Sequence, residues 1–541
     1  MTDLNWLAVT PEIVLLGMAC VVAILDLFVT CPQRKPTYFL TMLSLAVVAG
    51  LHLSALDSGA SVYAMQRMVV TDPMGHLLSL CATLAVMGTL VYAQGYAASR
   101  DLLKGELFSL SMLSLLGISI MIIGNNFLTI YLGLELMSLS LYALVALRRD
   151  DAQATEAAMK YFVLGALASG FLLYGLSMMY GATGSLDLAE VYQATLTGEI
   201  NKQVLAFGVV FIVAGLAFKL GVVPFHMWVP DVYQGAPTAV TLLVAGAPKL
   251  AAFAITIRLL VEGLINSATD WQQMLMILAV ASMAVGNLAA IAQTNLKRML
   301  AYSGIAQLGF MLLGFIPSVV AGNTVSAGNG YGSSLFYVLT YVLTTLGTFG
   351  VILLLSRNGF ESENISDLAG LNQRSPLYAG VMAICMFSLA GVPPMVGFYA
   401  KLSVLQALLA TPDPQARGPV VGTTANRSQR NVIGLEHVCR VPGSPAHAIP
   451  EWRRNAPRKD TRNADSIFAD LFGHALDHSV GCPLGCHIPT AHRECLLRSD
   501  RKHRDNHPFA ARLHHPHSGP HTIEHPRNVC RHHFGKGRIR G

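Results

Sequence analysis

Long apolar stretches separated by short polar connections fill the first 410 residues of the chain. A helix needs about 20 mostly apolar residues to cross the hydrocarbon core of a bilayer. The pattern therefore predicts an all-α fold, a polytopic transmembrane helical bundle with about 12 membrane-spanning helices. The predicted spans are residues 11–30, 38–56, 74–97, 107–124, 127–147, 159–180, 204–228, 237–260, 272–292, 297–317, 333–355 and 377–410.

Two of these spans contain proline close to a lysine. Lys219 precedes Pro224 in one span, and Lys401 follows Pro393 and Pro394 in the last span. Proline removes a backbone donor and clashes with the preceding helical turn. A charge beside a helix break inside the membrane is typical of transporters built from inverted repeats. We therefore predict two broken helices and an internal inverted repeat.

The composition supports a membrane protein but divides the chain near residue 410. The whole chain is 53% hydrophobic and 13% charged, whereas soluble domains average about 25% charged residues. Residues 1–410 hold 17 Lys and Arg against 20 Asp and Glu, whereas residues 411–541 hold 20 against 11. The formal net charge of +6 describes neither part, so we predict no nucleic-acid partner.

Sequence motifs for cofactors are missing from the apolar part. Neither GxGxxG nor GxxxxGK[ST] occurs in the chain, so nothing indicates a nucleotide site. The cysteines before residue 411 have no iron–sulfur or zinc spacing and suit small apolar positions. We expect no cofactor and no metal site in this chain.

The basic residues of the predicted loops indicate an orientation. If the N-terminus lies outside, ten loop Lys and Arg face the cytoplasm and two face the exterior. Such an excess follows the positive-inside rule. We predict a multi-pass protein of a bacterial inner membrane with a periplasmic N-terminus, whose first apolar segment is a retained helix. The ten are Arg34, Lys35, Arg100, Lys104, Arg148, Arg149, Lys297, Arg298, Arg357 and Arg374, and the two are Arg67 and Lys202.

One carboxylate lies in the middle of a predicted span. Glu135 shares a helical face with Tyr131, Ser138 and Tyr142, at spacings of four, three and four residues. A charge at a helix centre costs at least about 2.5–3.5 kcal/mol on insertion scales, so it persists when paired, hydrated or functional. Glu135 is therefore a candidate proton carrier, and a structural hydrogen-bond anchor is the alternative.

Three lysines lie well inside predicted spans, at positions 219, 249 and 401. Lysine can release its proton when buried, and a nearby carboxylate restores the charged form, so a Glu–Lys pair followed by lysines can pass a proton along. Arginine keeps its proton, and Arg258 is expected at a membrane interface. For Lys219, snorkelling to an interface is the alternative. For Lys160, Lys297 and His226, nearer the span ends, interfacial anchoring and a functional role stay equally open.

A second polar stripe follows one face of the span at 333–355. It consists of Tyr337, Tyr341, Thr344 and Thr348. We expect it to line a hydrated path or a contact between helices.

Three segments resemble the proton-conducting, antiporter-like membrane subunits of respiratory complex I. Within them, PDVYQGAP is more similar to subunit N than to subunits L or M or to the Mrp antiporters. The resemblance covers about residues 1–410. The segments are KLGVVPFHMWVPDVYQGAPTAVTLLVAGAPKLAAF (219–253), TNLKRMLAYSGIAQLGF (294–310) and SLAGVPPMVGFYAKLSVL (388–405).

The resemblance implies a fold of fourteen transmembrane helices with two inverted five-helix units. It also implies membership of NADH:quinone oxidoreductase, a proton-translocating enzyme complex. NADH, FMN, the iron–sulfur clusters and quinone would bind other subunits, and the partners would be other complex I membrane subunits and the bilayer.

The resemblance also implies roles for single residues. Glu135 in LGLELMSL resembles the family's membrane glutamate, and Lys219 resembles the lysine paired with it. Lys249 in APKLAAF resembles the central relay lysine, and Lys401 in GFYAKLSVL resembles the lysine of the exit half-channel. Lys160 and Lys297 match further basic positions of the family.

The Arg-, His- and Pro-rich tail of residues 411–541 departs from the family, which continues with two more apolar helices. It can be an extramembrane domain, a disordered tail or an out-of-frame translation. We favour the last, because the change is abrupt and interrupts a helix. Another reading frame should then encode two apolar spans of about 20 residues each.

The tail also contains a cluster of residue types that bind zinc. No apolar periodicity nearby supplies the folded scaffold that structural zinc sites require. We therefore predict a disordered segment without a specific metal site. The cluster is Cys482, Cys486, His487, His492 and Cys495.

Two other functions remain open at the level of sequence. One is a stand-alone or Mrp-type cation/proton antiporter, and the other is a structural membrane subunit without a proton path.

Overall fold

The computed structural model describes residues 4–197, 200–317, 324–357 and 359–409. The tail of residues 411–541 lies outside these ranges, as do the predictions about its disorder, its reading frame and its Cys/His cluster. The described part is mostly helical, as the apolar pattern predicts. Its α-helices are α1 (Thr10–Asp26), α2 (Lys35–Ser58), α3 (Pro73–Ala98), α4 (Gly105–Ile123), α5 (Phe127–Val145), α6 (Ala152–Thr183), α7 (Leu188–Thr197), α8 (Lys202–Leu220), α9 (Trp228–Gly235), α10 (Thr238–Ala245), α11 (Ala247–Thr256), α12 (Ala268–Ile291), α13 (Leu296–Leu312), α14 (Thr324–Leu355), α15 (Leu371–Arg374), α16 (Pro376–Ala390) and α17 (Val396–Leu409).

Ten helical stretches of the described residues are long and apolar enough to cross a membrane, which confirms the predicted polytopic bundle. The other two predicted spans are present as shorter helices, α13 and the pair α16 and α17. The ten stretches are Trp6–Asp26, Lys35–Ser58, Pro73–Ala98, Gly105–Ile123, Phe127–Val145, Ala152–Thr183, Lys202–Leu220, Thr238–Gly263, Ile265–Ile291 and Asn329–Leu355.

Both predicted helix breaks are present and have the same local geometry. Helix α8 ends at Leu220, and Gly221 follows with a φ of +81°. Helix α16 ends at Ala390, and Gly391 follows with a φ of +83°. This left-handed conformation is strained for residues with a Cβ, so glycine suits both positions. The repeated geometry supports the predicted internal repeat.

A third interruption divides the predicted span at 237–260, which the sequence pattern indicates as continuous. Helix α10 ends at Ala245, and α11 begins at Ala247 after Gly246. A π-helical segment, Ile257–Gly263, then continues α11. This broken stretch is buried from Thr238 to Leu260, so neighbouring protein surrounds its irregular backbone, as membrane depth requires.

The connections collect on two faces of the bundle. The N-terminal face carries the start of α1 and a hairpin of β1 (Val62–Ala64) and β2 (Val69–Thr71). The opposite face carries the connections after α3, α5 and α14, where Glu361 accepts hydrogen bonds from Arg100 (2.7 Å) and Arg148 (2.9 Å). These loops include five of the ten basic positions that the sequence analysis assigns to one side.

Polar side chains start several helices by accepting hydrogen bonds from the first free backbone N–H groups. Such capping satisfies donors that have no partner within the helix. The capping residues are Asp72 for α3, Asn126 for α5, Asp151 for α6, Asn201 for α8 and Asn295 for α13.

Close backbone contact joins α4 to α5. A Cβ on Gly117 would lie 2.4 Å from the backbone nitrogen of Met137, and one on Gly133 would lie 2.8 Å from that of Met121. Small residues allow membrane helices to approach this closely. The contact fixes α5, and with it the helical face that carries Glu135.

Candidate proton-transfer site

The first part of the site joins α5 to α8. Nζ of Lys219 donates a hydrogen bond to Oγ of Ser138 at 2.8 Å. Glu135 lies one turn earlier on α5, near enough to interact electrostatically with Lys219. Within the described residues no carboxylate forms a direct ion pair with Lys219, and Oε1 of Glu135 is buried without a hydrogen-bond partner. Lys219 therefore has Ser138 as its hydrogen-bond partner on α5, in place of the carboxylate that the sequence pairs with it.

The stripe around Glu135 is turned mainly into the protein. Ser138 and Tyr142 are 1% and 8% exposed, whereas Glu135 and Tyr131 are half-buried. Tyr142 packs directly onto Gly165 of α6, where a Cβ would collide with its hydroxyl group. The buried members of this stripe, Ser138 and Tyr142, thus face the bundle.

The second part of the site is the end of α8. The side chain of Lys249 is 1% exposed, and its Nζ donates to the carbonyl oxygens of Lys219 (3.2 Å) and Leu220 (3.0 Å). The break at Gly221 leaves these carbonyls without the amides of a next turn, and helix C-termini attract cations. The ring centre of Trp228 lies 5.1 Å from the same ammonium nitrogen, within range of a cation–π interaction.

The third part repeats this arrangement at the end of α16. Nζ of Lys401 donates to the carbonyl oxygens of Leu389 (2.8 Å) and Ala390 (3.2 Å). The lysine side chain also packs over Gly391, where a Cβ would lie 2.9 Å from its Cδ. Each predicted helix break is thus capped by the ammonium group of a lysine from a later helix.

Lys401 is connected to the tyrosine stripe of α14 through the carbonyl oxygen of Leu389 and the side chain of Gln307. Nε2 of Gln307 donates to the carbonyl oxygen of Leu389 at 2.9 Å, and the hydroxyl of Tyr337 donates to Oε1 of Gln307. Tyr337, Tyr341 and Lys401 line a small cavity of about 10 Å³, which has room for about one water molecule. The four stripe residues of α14 are at most 9% exposed, so the stripe faces protein.

The three less central positions differ from one another. Lys297 is 1% exposed and pairs with Glu363 at 2.7 Å. The side chain of Lys160 is 43% exposed and pairs with Glu156 and Asp231, each at 2.8 Å. His226 is half-buried in the break after α8, and its Nδ1 has no hydrogen-bond partner.

Arg258 is enclosed by protein beside the start of α3, and its position at a membrane interface stays a prediction. Its side chain is 1% exposed and forms ion pairs with Asp72 (2.9 Å) and Glu262 (2.8 Å). The structure satisfies this buried charge with two carboxylates, one of which comes from a distant part of the sequence.

Three contributors to the site are not indicated by the sequence pattern. Trp228 flanks Lys249, Gln307 links Lys401 to Tyr337, and Glu363 neutralises Lys297. Gln307 has a weak signal, because it is a polar residue inside an apolar helix. Glu363 has none, since it lies in an ordinary polar connection.

The arrangement suits proton transfer between amines and a carboxylate. Its central groups can each exist charged or neutral, and neighbouring charges bias that choice. Among the described residues, no group of three or more His, Cys, Asp or Glu side chains is arranged to hold a metal ion.

Comparison with known sequences gives high identity to one kind of protein. The family "NADH:quinone oxidoreductase/Mrp antiporter, TM" matches residues 124–421. NADH-quinone oxidoreductase subunit N of Polaromonas naphthalenivorans is 65% identical over 409 residues, which cover 75% of this chain and 82% of the relative. Subunit N of Herminiimonas arsenicoxydans is 63% identical over 415 residues, 76% of this chain and 84% of that one.

Solved structures give a matching fold. A chain of respiratory complex I from Thermus thermophilus with bound aureothin aligns with a TM-score of 0.61 at 28% identity, covering 87% of this chain and 97% of that chain. A chain of the Mrp complex from Dietzia sp. DQ12-45-1b aligns with a TM-score of 0.65 at 21% identity, covering 75% of each chain. The second match shows the fold alone.

Proposed function

Because the chain belongs to the family of NADH-quinone oxidoreductase subunit N, we propose that it carries protons across the membrane for that complex. The path runs through Glu135, Lys219, Lys249 and Lys401. Quinone reduction, which drives it, takes place in other subunits.

The observation that carries this proposal is the position of Lys249. Its ammonium group occupies the end of α8, one residue beyond Lys219, and is fully enclosed by protein. Lys219 and Lys249 thus meet at one broken helix. Lys219 also donates a hydrogen bond to Ser138 and interacts electrostatically with Glu135. Structural anchoring requires neither the second buried amine nor the break.

The electrostatics of this cluster give a transfer step. Ionised Glu135 attracts a proton onto Lys219, and a charge on Lys219 disfavours one on Lys249. When Glu135 loses its charge, Nζ of Lys219 releases its proton, and Nζ of Lys249 accepts it. Lys249 then passes the proton towards Lys401, which holds the equivalent position at the second break. Arginine at these positions would retain its proton.

The surroundings of the path follow from the same family. We propose that other complex I membrane subunits pack beside this chain, and that NADH, flavin, iron–sulfur clusters and quinone bind elsewhere in the complex. We propose residues 1–410 as the membrane domain; residues 411–541 lie outside the part of the chain that the structure describes. The ten-to-two distribution of basic loop residues supports a periplasmic N-terminal face in a bacterial inner membrane.

Lys249→Ala in the assembled complex tests the path. Inverted membrane vesicles are supplied with NADH, and the pH gradient is followed with a fluorescent dye while quinone reduction is followed separately. We expect both rates to fall, since a blocked path prevents the coupled reaction from advancing. Lys202→Ala, which neutralises an exposed lysine at the start of α8, is the matched control and should behave as wild type.

Either of two results would contradict the proposed proton path. Normal pumping by an assembled Lys249→Ala complex would make the chain a structural subunit. A pH gradient that the isolated chain dissipates only when Na⁺ or K⁺ is added would make it a cation/proton antiporter.

A further inference from the structure

Two histidines face each other near the N-terminal face, away from the lysines of the proposed path. His52 lies in α2 and His76 in α3, and they are 1% and 7% exposed. Their Nδ1 atoms are 3.3 Å apart, and their ring centres are 5.6 Å apart. The separation of the ring centres exceeds that of the nitrogens by about the two ring radii, so the rings meet end to end. One Nδ1 must donate a proton to this contact and the other must accept it.

A cavity of about 360 Å³ gives one of these rings access to water. His76 lines it, together with polar residues that include Asn5, Thr10 and Ser54. Asn5 and Ser54 are exposed, so the cavity opens at the surface. The space is large enough for several water molecules, and Asn5, Thr10 and Ser54 offer them polar partners along part of a mainly apolar wall.

The second ring has a different environment. His52 does not line the cavity, and its Nε2 is buried without a hydrogen-bond partner. His76 therefore lines the cavity, whereas Nε2 of His52 is enclosed by protein. One hydrogen bond joins the two rings.

Asp72, the N-cap residue of α3, interacts electrostatically with His76, and further charged groups lie on the elements near α2 and α3. Asp72 caps α3 one turn before His76 and pairs with Arg258, which also holds Glu262 at the end of the π-helical segment. From α1, Glu12 accepts a hydrogen bond from Ser119 of α4. In the β-hairpin, Arg67 lies over the ring of Tyr63. Asp72 is therefore the carboxylate that favours a positive charge on His76.

We propose that His52 and His76 form a binding site for a single proton that enters from this cavity. The proton adds to Nε2 of His76, and the resulting imidazolium donates its Nδ1 proton to the neutral Nδ1 of His52. A charged donor strengthens such a hydrogen bond. A second proton would place N–H groups on both facing nitrogens and break the contact, so the pair takes one proton and no more.

The site stands apart from the proposed path. Among the described residues, no hydrogen bond or ion pair links either imidazole to Glu135, Lys219, Lys249 or Lys401. The two histidines are therefore independent of the proposed path, and their protonation can be measured without an activity assay.

Diethyl pyrocarbonate, which acylates unprotonated imidazole nitrogens, is a suitable probe. The purified complex is treated briefly at pH values between about 5 and 8, the range in which histidine titrates. Mass spectrometry then gives the extent of modification for each histidine. We expect His76 to react along a one-proton titration curve and His52 to stay unmodified at every pH. His226, which has no histidine partner, is the reference within the same chain.

His52→Leu removes the acceptor and keeps the site apolar. The imidazolium of His76 then loses its charge-assisted hydrogen bond, so the midpoint of its curve should fall by about one pH unit or more. The midpoint of His226 should not move.

Three results would overturn the proposal. They are equal reactivity of His52 and His76, no reaction of His76 at any pH, and an unchanged midpoint of His76 in His52→Leu. The first two results are obtained with the wild-type complex. The proposal can therefore be tested even if the His52→Leu variant does not assemble.

Discussion

The ammonium nitrogen of Lys249 lies 3.2 Å from the backbone carbonyl oxygen of Lys219. One lysine thus caps the helix end that carries the other, although 30 residues separate them along the chain. The contact brings two like charges to one enclosed helix end, where the protonation of either affects the other. Lys401 repeats the capping at the second break, which makes the helix breaks the points where the lysines are positioned.

Lys219→Ala should lower proton pumping and coupled quinone reduction together, by about tenfold or more if a positioned proton carrier is lost. The rates of pumping and quinone reduction should also be low in Lys219→Arg, because arginine does not release its proton. Both rates are measured in vesicles with equal complex content. Full pumping by the alanine variant would remove Lys219 from the path.

Glu135→Gln should resemble Lys219→Ala, and the double variant should be no worse than either single one. Groups that act as one unit give such non-additive effects. Ser138→Ala should cause a smaller loss, since it removes one hydrogen bond to a charged group, worth about 1.5–3 kcal/mol, and leaves both charges. Additive effects of Glu135→Gln and Lys219→Ala on pumping would show that the two residues act independently.

Gly117→Ala should weaken the complex and its pumping, although residue 117 carries no charge. The new Cβ would lie 2.4 Å from the backbone of Met137, so α5 must move, and overpacking costs typically about 1–3 kcal/mol. We expect a lower melting temperature together with reduced pumping. Gly170→Ala is the control, because a Cβ there meets nothing within 4 Å. Equal behaviour of the two variants would mean that the α4–α5 contact does not fix the site.

Glu361→Gln should loosen the opposite face of the bundle in a pH-dependent way. Burial raises the pKa of Glu361, but the hydrogen bonds from Arg100 and Arg148 outweigh burial and hold the pKa below its ordinary value. A lowered pKa adds stability above the unfolded value, and this stability is lost as the pH falls through the folded value. The effect of the substitution should therefore be large at neutral pH and shrink below about pH 4.

Hydrogen exchange of the amides of Leu296 and Ile365, which tie this loop to α13, measures the effect. Glu106→Gln is the matched control, because the pair of Glu106 with Arg149 is exposed. A difference between Glu361→Gln and wild type that does not change with pH would argue against the ion-pair explanation.

The sequence by itself determined the membrane fold and the residues of greatest chemical interest. Apolar runs of membrane-spanning length predict helices, since the bilayer leaves the backbone few alternatives. Pro224 and Pro394 indicate both breaks, because proline cannot continue the hydrogen-bond pattern. Glu135, Lys219, Lys249 and Lys401 stand out because a charge inside an apolar helix is costly.

Only the tertiary structure decided what these charges contact. The sequence pairs Glu135 with Lys219, yet Lys219 donates to Ser138. The enclosure of Lys297 and Arg258 depends on Glu363, Asp72 and Glu262, and Glu363 and Asp72 come from distant parts of the chain. Helical periodicity tells which residues share a face of one helix. It carries no information about which helix packs against that face, or about which carbonyl oxygens a lysine can reach across it, because those follow from how the helices pack.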